Sequence, residues 1–221
     1  MKTNRTRRLV QAATASLALS FAALATAADV IWDTDTIAGD LATGGTGDWD
    51  TSTSNWDPDG LALVTWNNAN LDTAIFGGTA GTVNLTTGIS AGGITFDTAG
   101  YTVTGNTLTL GGTPVITANA DATIASIVAG SVDWTKAGTG ILTLSGINTF
   151  TGKTSVTGGV LAINADARLG TAPGAAVADQ LTLNGGTLRL TAGGQTLNAN
   201  RGITIGASGA TIDTDALADS S

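Results

Sequence analysis

The chain has 221 residues, of which 9 are Lys or Arg and 17 are acidic, and its formal net charge at pH 7 is -8. It contains neither His nor Cys. Disulfides, Ser-His-Asp and Cys-His nucleophilic systems and nearly all zinc, copper and haem sites are therefore excluded. The acidic excess disfavours nucleic acid and anionic lipid as partners, since both require a basic surface. We expect no cofactor, and only carboxylate chemistry and calcium remain open.

The first 27 residues have the pattern of a bacterial export signal. Four of the nine basic residues lie within residues 1–8, an apolar stretch follows, and residues 25–27 form an A-x-A cleavage site. The apolar stretch is too short and too rich in Ala, Ser and Thr for a stable membrane anchor, which is the competing interpretation. We predict an exported chain without a membrane span after cleavage. The paired arginines leave both Sec and twin-arginine export open.

Residues 28–81 form a tryptophan-rich region that differs from the rest of the chain. It holds four of the five tryptophans, Trp32, Trp49, Trp56 and Trp66. We predict an N-terminal cap in which these large rings seal the first coil of the fold and end its hydrogen-bond ladder. The alternative is an aromatic platform for a sugar chain, which would require exposed rings.

The same region carries the densest group of carboxylates, Asp48, Asp50, Asp57 and Asp59. Oxygen-bearing side chains at alternate positions of the sequence DWDTSTS are similar to those of a calcium-binding loop. The central Gly and the closing bidentate acid of the helix-loop-helix calcium site are missing, however. A solvated turn is therefore the favoured interpretation, and weak calcium binding by these four residues is a hypothesis.

From residue 82 onward, short β-type runs recur between glycines. Runs begin at Ile94, Tyr101, Leu108 and Val115, at intervals of seven residues. Apolar residues alternate with Thr or Ser in such runs, which is the period of a strand. Three steps make a coil of about 21 residues, within the range of repeating solenoid units. The pattern predicts an all-β fold, a parallel β-solenoid with about three short strands per coil and about six coils, over residues 82–215.

An antiparallel β-sandwich is the competing architecture, because it also shows short strands at regular spacing. Its hairpins favour Asn-Gly or Asp-Gly between strands of matched length, whereas the gaps here are mostly Gly-Gly or Ala-Gly. The solenoid is the favoured interpretation.

Residues 134–164 read WTKAGTGILTLSGINTFTGKTSVTGGVLAIN. This segment resembles the passenger-associated transport repeat, also called the autotransporter-associated β-strand repeat. Two positions depart mildly from the usual pattern, Ile147 at an often small site and Lys153 where Gly is frequent. The residues that match the pattern are Lys136, Gly138, Gly140, Leu142, Leu144, Ser145, Gly146, Asn148, Phe150, Gly152, Thr154, Val156, Gly159 and Leu161.

The resemblance implies a right-handed β-helix in a passenger segment displayed at, or released from, the surface of a Gram-negative type bacterium. The repeat would assist passage or folding outside the membrane, and the resemblance implies no catalytic residues. Because no series of amphipathic barrel strands follows in this chain, we expect an outer-membrane translocator that it does not encode. We expect a structural, adhesin-like function, with surface glycans or a host or neighbouring cell surface as partners.

A polysaccharide-binding or polysaccharide-cleaving β-helix is the rival class. Cleavage would need two carboxylates that converge on a cleft, or calcium with a basic residue beside it. The remaining acids of the predicted rod, Asp97, Asp121 and Asp133, are scattered between glycine turns. We therefore predict no catalytic residue and no enzyme activity.

Two further segments interrupt the pattern. Residues 166–180 have helix-compatible spacing that Pro173 and Gly174 break, which predicts one short turn and a loop that bulges from the rod. Residues 216–221 are expected to be a disordered or truncated end.

Overall fold

A computed structural model describes residues 27–35, 37 and 39–214. Residues 1–26 of the predicted export signal and the predicted end at residues 216–221 lie outside this range. The regular elements of the described part are all β-strands except for one 3-10 turn at Asp166–Leu169. The strands of the described residues, in chain order, are β1 (Asp29–Trp32), β2 (Gly47–Trp49), β3 (Ser54–Asp57), β4 (Val64–Thr65), β5 (Thr73–Phe76), β6 (Thr82–Leu85), β7 (Ile89–Phe96), β8 (Tyr101–Gly105), β9 (Leu108–Ala118), β10 (Ala122–Ile124), β11 (Val128–Ala129), β12 (Trp134–Ala137), β13 (Ile141–Leu144), β14 (Thr154–Val156), β15 (Val160–Ile163), β16 (Val177–Leu183), β17 (Thr187–Leu190), β18 (Arg201–Ile205) and β19 (Thr211–Asp213).

Two long sheets run the length of the molecule. In the first, β1, β5, β7, β9, β12, β14, β16 and β18 are neighbours in that order, and in the second, β2, β6, β8, β10, β13, β15, β17 and β19. Every one of these neighbouring pairs is parallel. The chain alternates between the sheets, so each coil completes the backbone hydrogen bonding of the coil before it. The predicted parallel solenoid is confirmed, with about seven turns, and the sandwich is excluded.

A third side of the coil is formed by the bent strands β7 and β9 together with β11. The register of β7 on β9 shifts between Ala91 and Gly93, so Ile89 pairs with Leu108 on one side of the bend. Leu108 in turn pairs with Val128 of β11. These short segments lie between the two long sheets in chain order, so the coils that contain them have the predicted three strands, whereas the later coils, from β12 onward, have two.

The length of a coil is close to the predicted value. Main-chain and side-chain bonds repeatedly join residues 20 positions apart, for example Asp133 to Lys153 and Asp121 to Ile141. The coil that contains the 3-10 turn is longer, because Thr154 pairs with Leu181. The predicted short turn is found at Asp166–Leu169, whereas residues 177–180 of the predicted loop are instead part of strand β16.

Inward and outward positions alternate along the strands, as the sequence pattern predicted. In β13, Leu142 and Leu144 are 0% and 1% exposed, whereas Ile141 and Thr143 between them are partly exposed. Stacked coils place such residues in continuous apolar rows, and full burial of each Leu contributes about 1.5–3 kcal/mol. The core therefore runs unbroken along the axis of the rod.

The tryptophan-rich region both begins the solenoid and closes its first end. Strands β1 and β2 are already parallel rungs, paired with β5 and β6. Strands β3 and β4 instead add to β1 in antiparallel orientation and end the first ladder. This arrangement adds a rung to the coils predicted from residue 82 onward. No helix within the described ranges is both long enough and apolar enough to cross a membrane.

Candidate functional site

The repeat is built around a buried lysine. Lys136 lies on β12 between Ile116 of β9 and Val156 of β14, and its side chain is 0% exposed. Its Nζ donates hydrogen bonds to the carbonyl oxygens of Gly138 at 3.0 Å, Gly140 at 2.7 Å and Gly158 at 2.9 Å. An ammonium group has three donors, so all of them are satisfied. We call Lys136 and these three carbonyls the lysine cage.

The lysine cage joins two successive coils at the corner between the sheets. Gly138 and Gly140 lie in the corner that follows Lys136, whereas Gly158 lies in the equivalent corner of the next coil. The carbonyls can converge because the backbones of successive corners lie unusually close to each other. Gly138 has φ of 79°, and a Cβ on Gly140 would lie 2.6 Å from a backbone carbon of Ala120. The K-x-G-x-G spacing therefore has a direct structural cause.

Burial lowers the pKa of Lys136 from 10.5 to about 8, and the negative charge of Asp121 opposes the shift. Asp121 itself accepts a hydrogen bond from the backbone N–H of Ile141 at 2.8 Å. A lysine with a lowered pKa can be a nucleophile or a base when a substrate can reach it. Here Nζ is enclosed by backbone, so the geometry supports a structural role.

Asn148 makes a second bridge between coils, on the third side of the rod. Its Oδ1 accepts from the backbone N–H of Val128 at 2.8 Å, and its Nδ2 donates to the carbonyl of Arg168 at 2.7 Å. Asn148 is 4% exposed. One side chain thus satisfies backbone groups of the preceding and the following coil, where regular strand pairing is absent.

The remaining repeat residues either fill the core or permit close contact between corners. Trp134 and Phe150 pack edge to face with ring centroids 5.7 Å apart. A Cβ on Gly146 or Gly152 would overlap the carbonyl oxygen of Ser126 or Val132 in the coil below. Gly159 has a positive φ of 56°, and Ser145 is exposed at a corner. The buried positions are Leu142, Leu144, Thr154, Val156 and Leu161.

The four acids proposed for calcium are not brought together as one set of ligands. Asp50 accepts from the backbone N–H and hydroxyl groups of Ser52 and Thr53, and although burial opposes the change, these bonds lower the pKa of Asp50. Asp57 and Asp59 accept backbone N–H groups within their own turn. Asp48 accepts from the Asn84 amide at 2.9 Å. Each carboxylate is thus bonded within its own neighbourhood.

A different acidic group was not predicted from the sequence. Carboxylate oxygens of Asp33, Asp35 and Asp40 lie within 4.8 Å of one another. Burial and the charges of Asp35 and Asp33 raise the pKa of Asp40. Asp33 already accepts bonds from the N–H and hydroxyl groups of Thr43. The spacing of these acids along a loop gave no signal, because the loop has to fold back before they meet.

The N-terminal tryptophans form one buried cluster. Trp32, Trp49 and Trp56 are 0% exposed and Trp66 is 2% exposed. The rings of Trp49 and Trp66 are 4.8 Å apart, and those of Trp32 and Trp56 are 5.0 Å apart, in edge-to-face contacts. The predicted aromatic cap is confirmed. The alternative of a sugar platform required exposed rings, and these four rings do not provide them.

Arg201 is a second buried cation, and its partners could not be predicted from the sequence. Its guanidinium donates to the carbonyls of Leu169 and Gly170 at 2.7 and 3.0 Å and pairs with Asp166 at 3.0 Å. The side chain is 2% exposed. It fastens the 3-10 turn to β18, much as Lys136 fastens two corners. Long-range partners of this kind leave no local sequence signal.

The fold and the repeat together define a class of protein, a parallel β-solenoid stabilised by corner glycines and a lysine cage. The Passenger-associated-transport-repeat family matches residues 135–163, so the chain contains one copy of this repeat. It is similar to the Adhesin BmaC autotransporter of Brucella suis biovar 1 (strain 1330), with 45% identity over 200 residues. That similarity covers 85% of this chain and 6% of the relative. No solved structure gives a significant match.

Proposed function

We propose that this chain is a non-catalytic, adhesin-like passenger segment that is exported and displayed at, or released from, the bacterial cell surface. The similarity to a segment of an autotransporter adhesin supports the class of function. The lysine cage is the observation that carries the proposal. It uses the charged residue of the repeat, Lys136, to hold coils together and leaves its Nζ inaccessible. The repeat is thus a device for building a stable rod.

The acids of the rod support a non-catalytic role. Asp121 and Asp133 each accept a backbone N–H of the next coil, from Ile141 at 2.8 Å and Lys153 at 2.7 Å. Asp97 accepts from the Asn119 amide at 2.7 Å. These carboxylates extend the ladder between coils, and each of these contacts is to an N–H donor and not to a second carboxylate. We expect no hydrolysis or lyase cleavage in a broad glycan panel. Turnover that disappears when one Asp is replaced by Asn would overturn this.

The repeat assists folding outside the membrane in this proposal. Lys136 must lose its hydration to enter the core, and it is satisfied only when the Gly158 corner of the following coil has arrived. Closing the cage therefore stabilises two coils at once. A translocating barrel supplied from elsewhere would deliver the chain in an unfolded state, and the cage would favour folding after passage.

Surface display of the whole chain tests this role. The chain is fused to a heterologous outer-membrane barrel, and surface exposure, protease resistance and adherence of the cells are measured. We expect the native fusion to be surface exposed, protease resistant and adherent to host or neighbouring cells above a barrel-only control. Lys136→Met should reduce folded surface material, whereas Lys153→Met, at a partly exposed repeat position, should not. Equal display of both variants would contradict the role of the cage, and adherence equal to the barrel control would contradict the adhesin-like function.

A further inference from the structure

A continuous groove runs along the outer face of the first sheet. Two adjoining cavities of about 530 and 460 Å³ share Thr113 and Val115 as lining residues. The first reaches back to Thr73 on β5, and the second reaches forward to Thr182 on β16. Each volume falls within the range of about 300–1,000 Å³ that is usual for ligand sites. The groove therefore crosses several strands of the sheet and runs parallel to the rod axis.

The floor of the groove is one column of residues in register, all of them at least partly exposed except Gly93. Each member pairs with the next across neighbouring strands. Six rungs at the usual interstrand spacing of about 4.8 Å span on the order of 24 Å. The members of the column are Thr73, Gly93, Val115, Thr135, Ser155 and Thr182.

Besides Thr73 at one end, three residues of this floor carry hydroxyls that are available to a ligand. Those of Thr135, Ser155 and Thr182 occupy successive rungs, and they form no hydrogen bond within the described part of the chain. Other hydroxyls nearby are already bonded, such as that of Thr157, which donates to the Lys136 carbonyl at 3.2 Å. The floor therefore offers a row of donors and acceptors at a constant repeat.

Charged and apolar groups line the sides of the groove. Lys153 Nζ lies 2.7 Å from Asp179 Oδ2, with side chains 45% and 50% exposed. Asp133 faces the same cavity and accepts the Lys153 backbone N–H at 2.7 Å. On the floor between these side groups and Thr73, Val115 is 40% exposed and supplies an apolar surface. The hydrogen bond to Asp179 raises the pKa of Lys153, so the ammonium stays charged at neutral pH.

We propose that this groove binds a neutral oligosaccharide chain that lies parallel to the rod axis. Sugar hydroxyls donate to carboxylates and accept from ammonium and hydroxyl groups, while sugar C–H faces pack on surfaces such as Val115. A groove that spans six rungs is longer than one sugar ring. Two carboxylates beside one ammonium, within a chain of net charge -8, repel polyanionic glycans. The inference rests on the proposed adhesin-like function only for its setting at a cell surface.

Titration calorimetry on the purified full chain tests the groove without cells. The probes are cellohexaose, maltohexaose and xylohexaose, with hexagalacturonate as the anionic comparison. We expect at least one neutral hexasaccharide to bind with a Kd on the order of 0.1–1 mM, since the described residues that line the groove offer no exposed aromatic ring for stacking. Hexagalacturonate should give no heat of binding. Absence of binding by all three neutral probes, or tighter binding of hexagalacturonate, would overturn the proposal.

Matched variants locate the site. Thr135→Val together with Thr182→Val removes two floor hydroxyls and keeps branched side chains on outward strand positions, so we expect at least tenfold weaker binding and an unchanged fold. Thr123→Val with Thr143→Val makes the same change on neighbouring rungs of the second sheet and should bind as the native chain does. If both double variants lost sugar binding to the same extent, the assignment of the binding site to this groove would be wrong. Sugar binding without cell adherence would contradict the proposed adhesin-like function but support the sugar-binding groove. Cell adherence without sugar binding would support the adhesin-like function but contradict the groove.

Discussion

The Nζ of Lys136 lies 2.9 Å from the carbonyl oxygen of Gly158, a residue of the following coil. The same ammonium is bonded to two carbonyls of its own corner. A charged group is costly to bury, and this one is compensated only because two coils present their carbonyls to the same point. The contact explains why a lysine and several glycines occur together in the repeat.

Lys136→Met should destabilise the folded chain by about 2–4 kcal/mol, because three buried carbonyls lose their donor. The variant no longer bears the cost of burying the charge, and this offsets part of the loss. Lys153→Met is the matched control. It breaks a partly exposed ion pair with Asp179, which is worth roughly 0–1 kcal/mol. Urea unfolding of both variants measures the difference. Equal midpoints for the two would rule out a stabilising lysine cage.

The stability that depends on Lys136 should rise with pH above about 8. Burial lowers the pKa of Lys136 from 10.5 to about 8. Between those values the unfolded chain holds a proton that the folded chain has released, so the free energy of unfolding increases with pH. Below the folded pKa both states are protonated, and the full cost of burying the charge is present.

The measurement compares the free energy of unfolding of the native chain and of Lys136→Met at several pH values from 7 to 10. Other titrating groups cancel in the difference. As the pH rises, we expect the free energy of unfolding of the native chain to increase relative to that of the variant by at most about 1.4 kcal/mol per pH unit. A difference that stays flat or falls over this range would show that burial does not shift this lysine as described.

Gly138→Ala should destabilise the chain by at least about 2 kcal/mol. Gly138 has φ of 79°, and an added Cβ would overlap the carbonyl oxygen of Ala118 in the coil below. Gly174→Ala is the control, because a Cβ there meets no atom of the described residues within 4 Å, and its effect should stay within about 0.5 kcal/mol. Thermal unfolding of the two variants distinguishes them. Equal melting temperatures would mean that the corner is less tightly packed than described.

Trp56→Ala should cost about 3–5 kcal/mol, since a fully buried ring leaves a large cavity between Trp32 and Trp49. Val64→Ala on the neighbouring strand β4 removes a side chain that is 39% exposed and should cost less than about 1 kcal/mol. Urea unfolding measures both. A small effect of Trp56→Ala would argue against the cap as a major source of stability.

The local features of the fold could be predicted from the sequence, because their causes are local. The alternation of Leu142 and Leu144 with partly exposed residues shows which side of β13 faces inward. The seven-residue spacing of the runs gives three sides per coil. The repeat motif around Lys136 was recognisable as a unit, although its side chain turned out to be completely buried.

Contacts between distant segments could not be predicted in the same way. Lys136 and Gly158 are 22 residues apart, and a sequence does not show which carbonyls meet. The hydroxyl column of the groove depends on Ser155 pairing with Thr182 across the inserted 3-10 turn. These two residues are separated by more than the usual coil length, so no periodic pattern in the sequence indicates that they pair. The group of Asp33, Asp35 and Asp40 likewise depends on how one loop folds.

The most direct test of the stacked parallel coils is disulfide formation between engineered cysteines, because the chain has no Cys of its own. Thr123 and Thr143 are directly paired on neighbouring parallel strands, whereas Thr102 and Thr143 are two rungs apart. Neighbouring rungs at about 4.8 Å are within reach of a disulfide and a separation of about 9.6 Å is not. Under mild oxidation, the Thr123→Cys, Thr143→Cys variant should cross-link and the Thr102→Cys, Thr143→Cys variant should not. Cross-linking of only the second pair, or equal rates for both, would contradict the parallel solenoid.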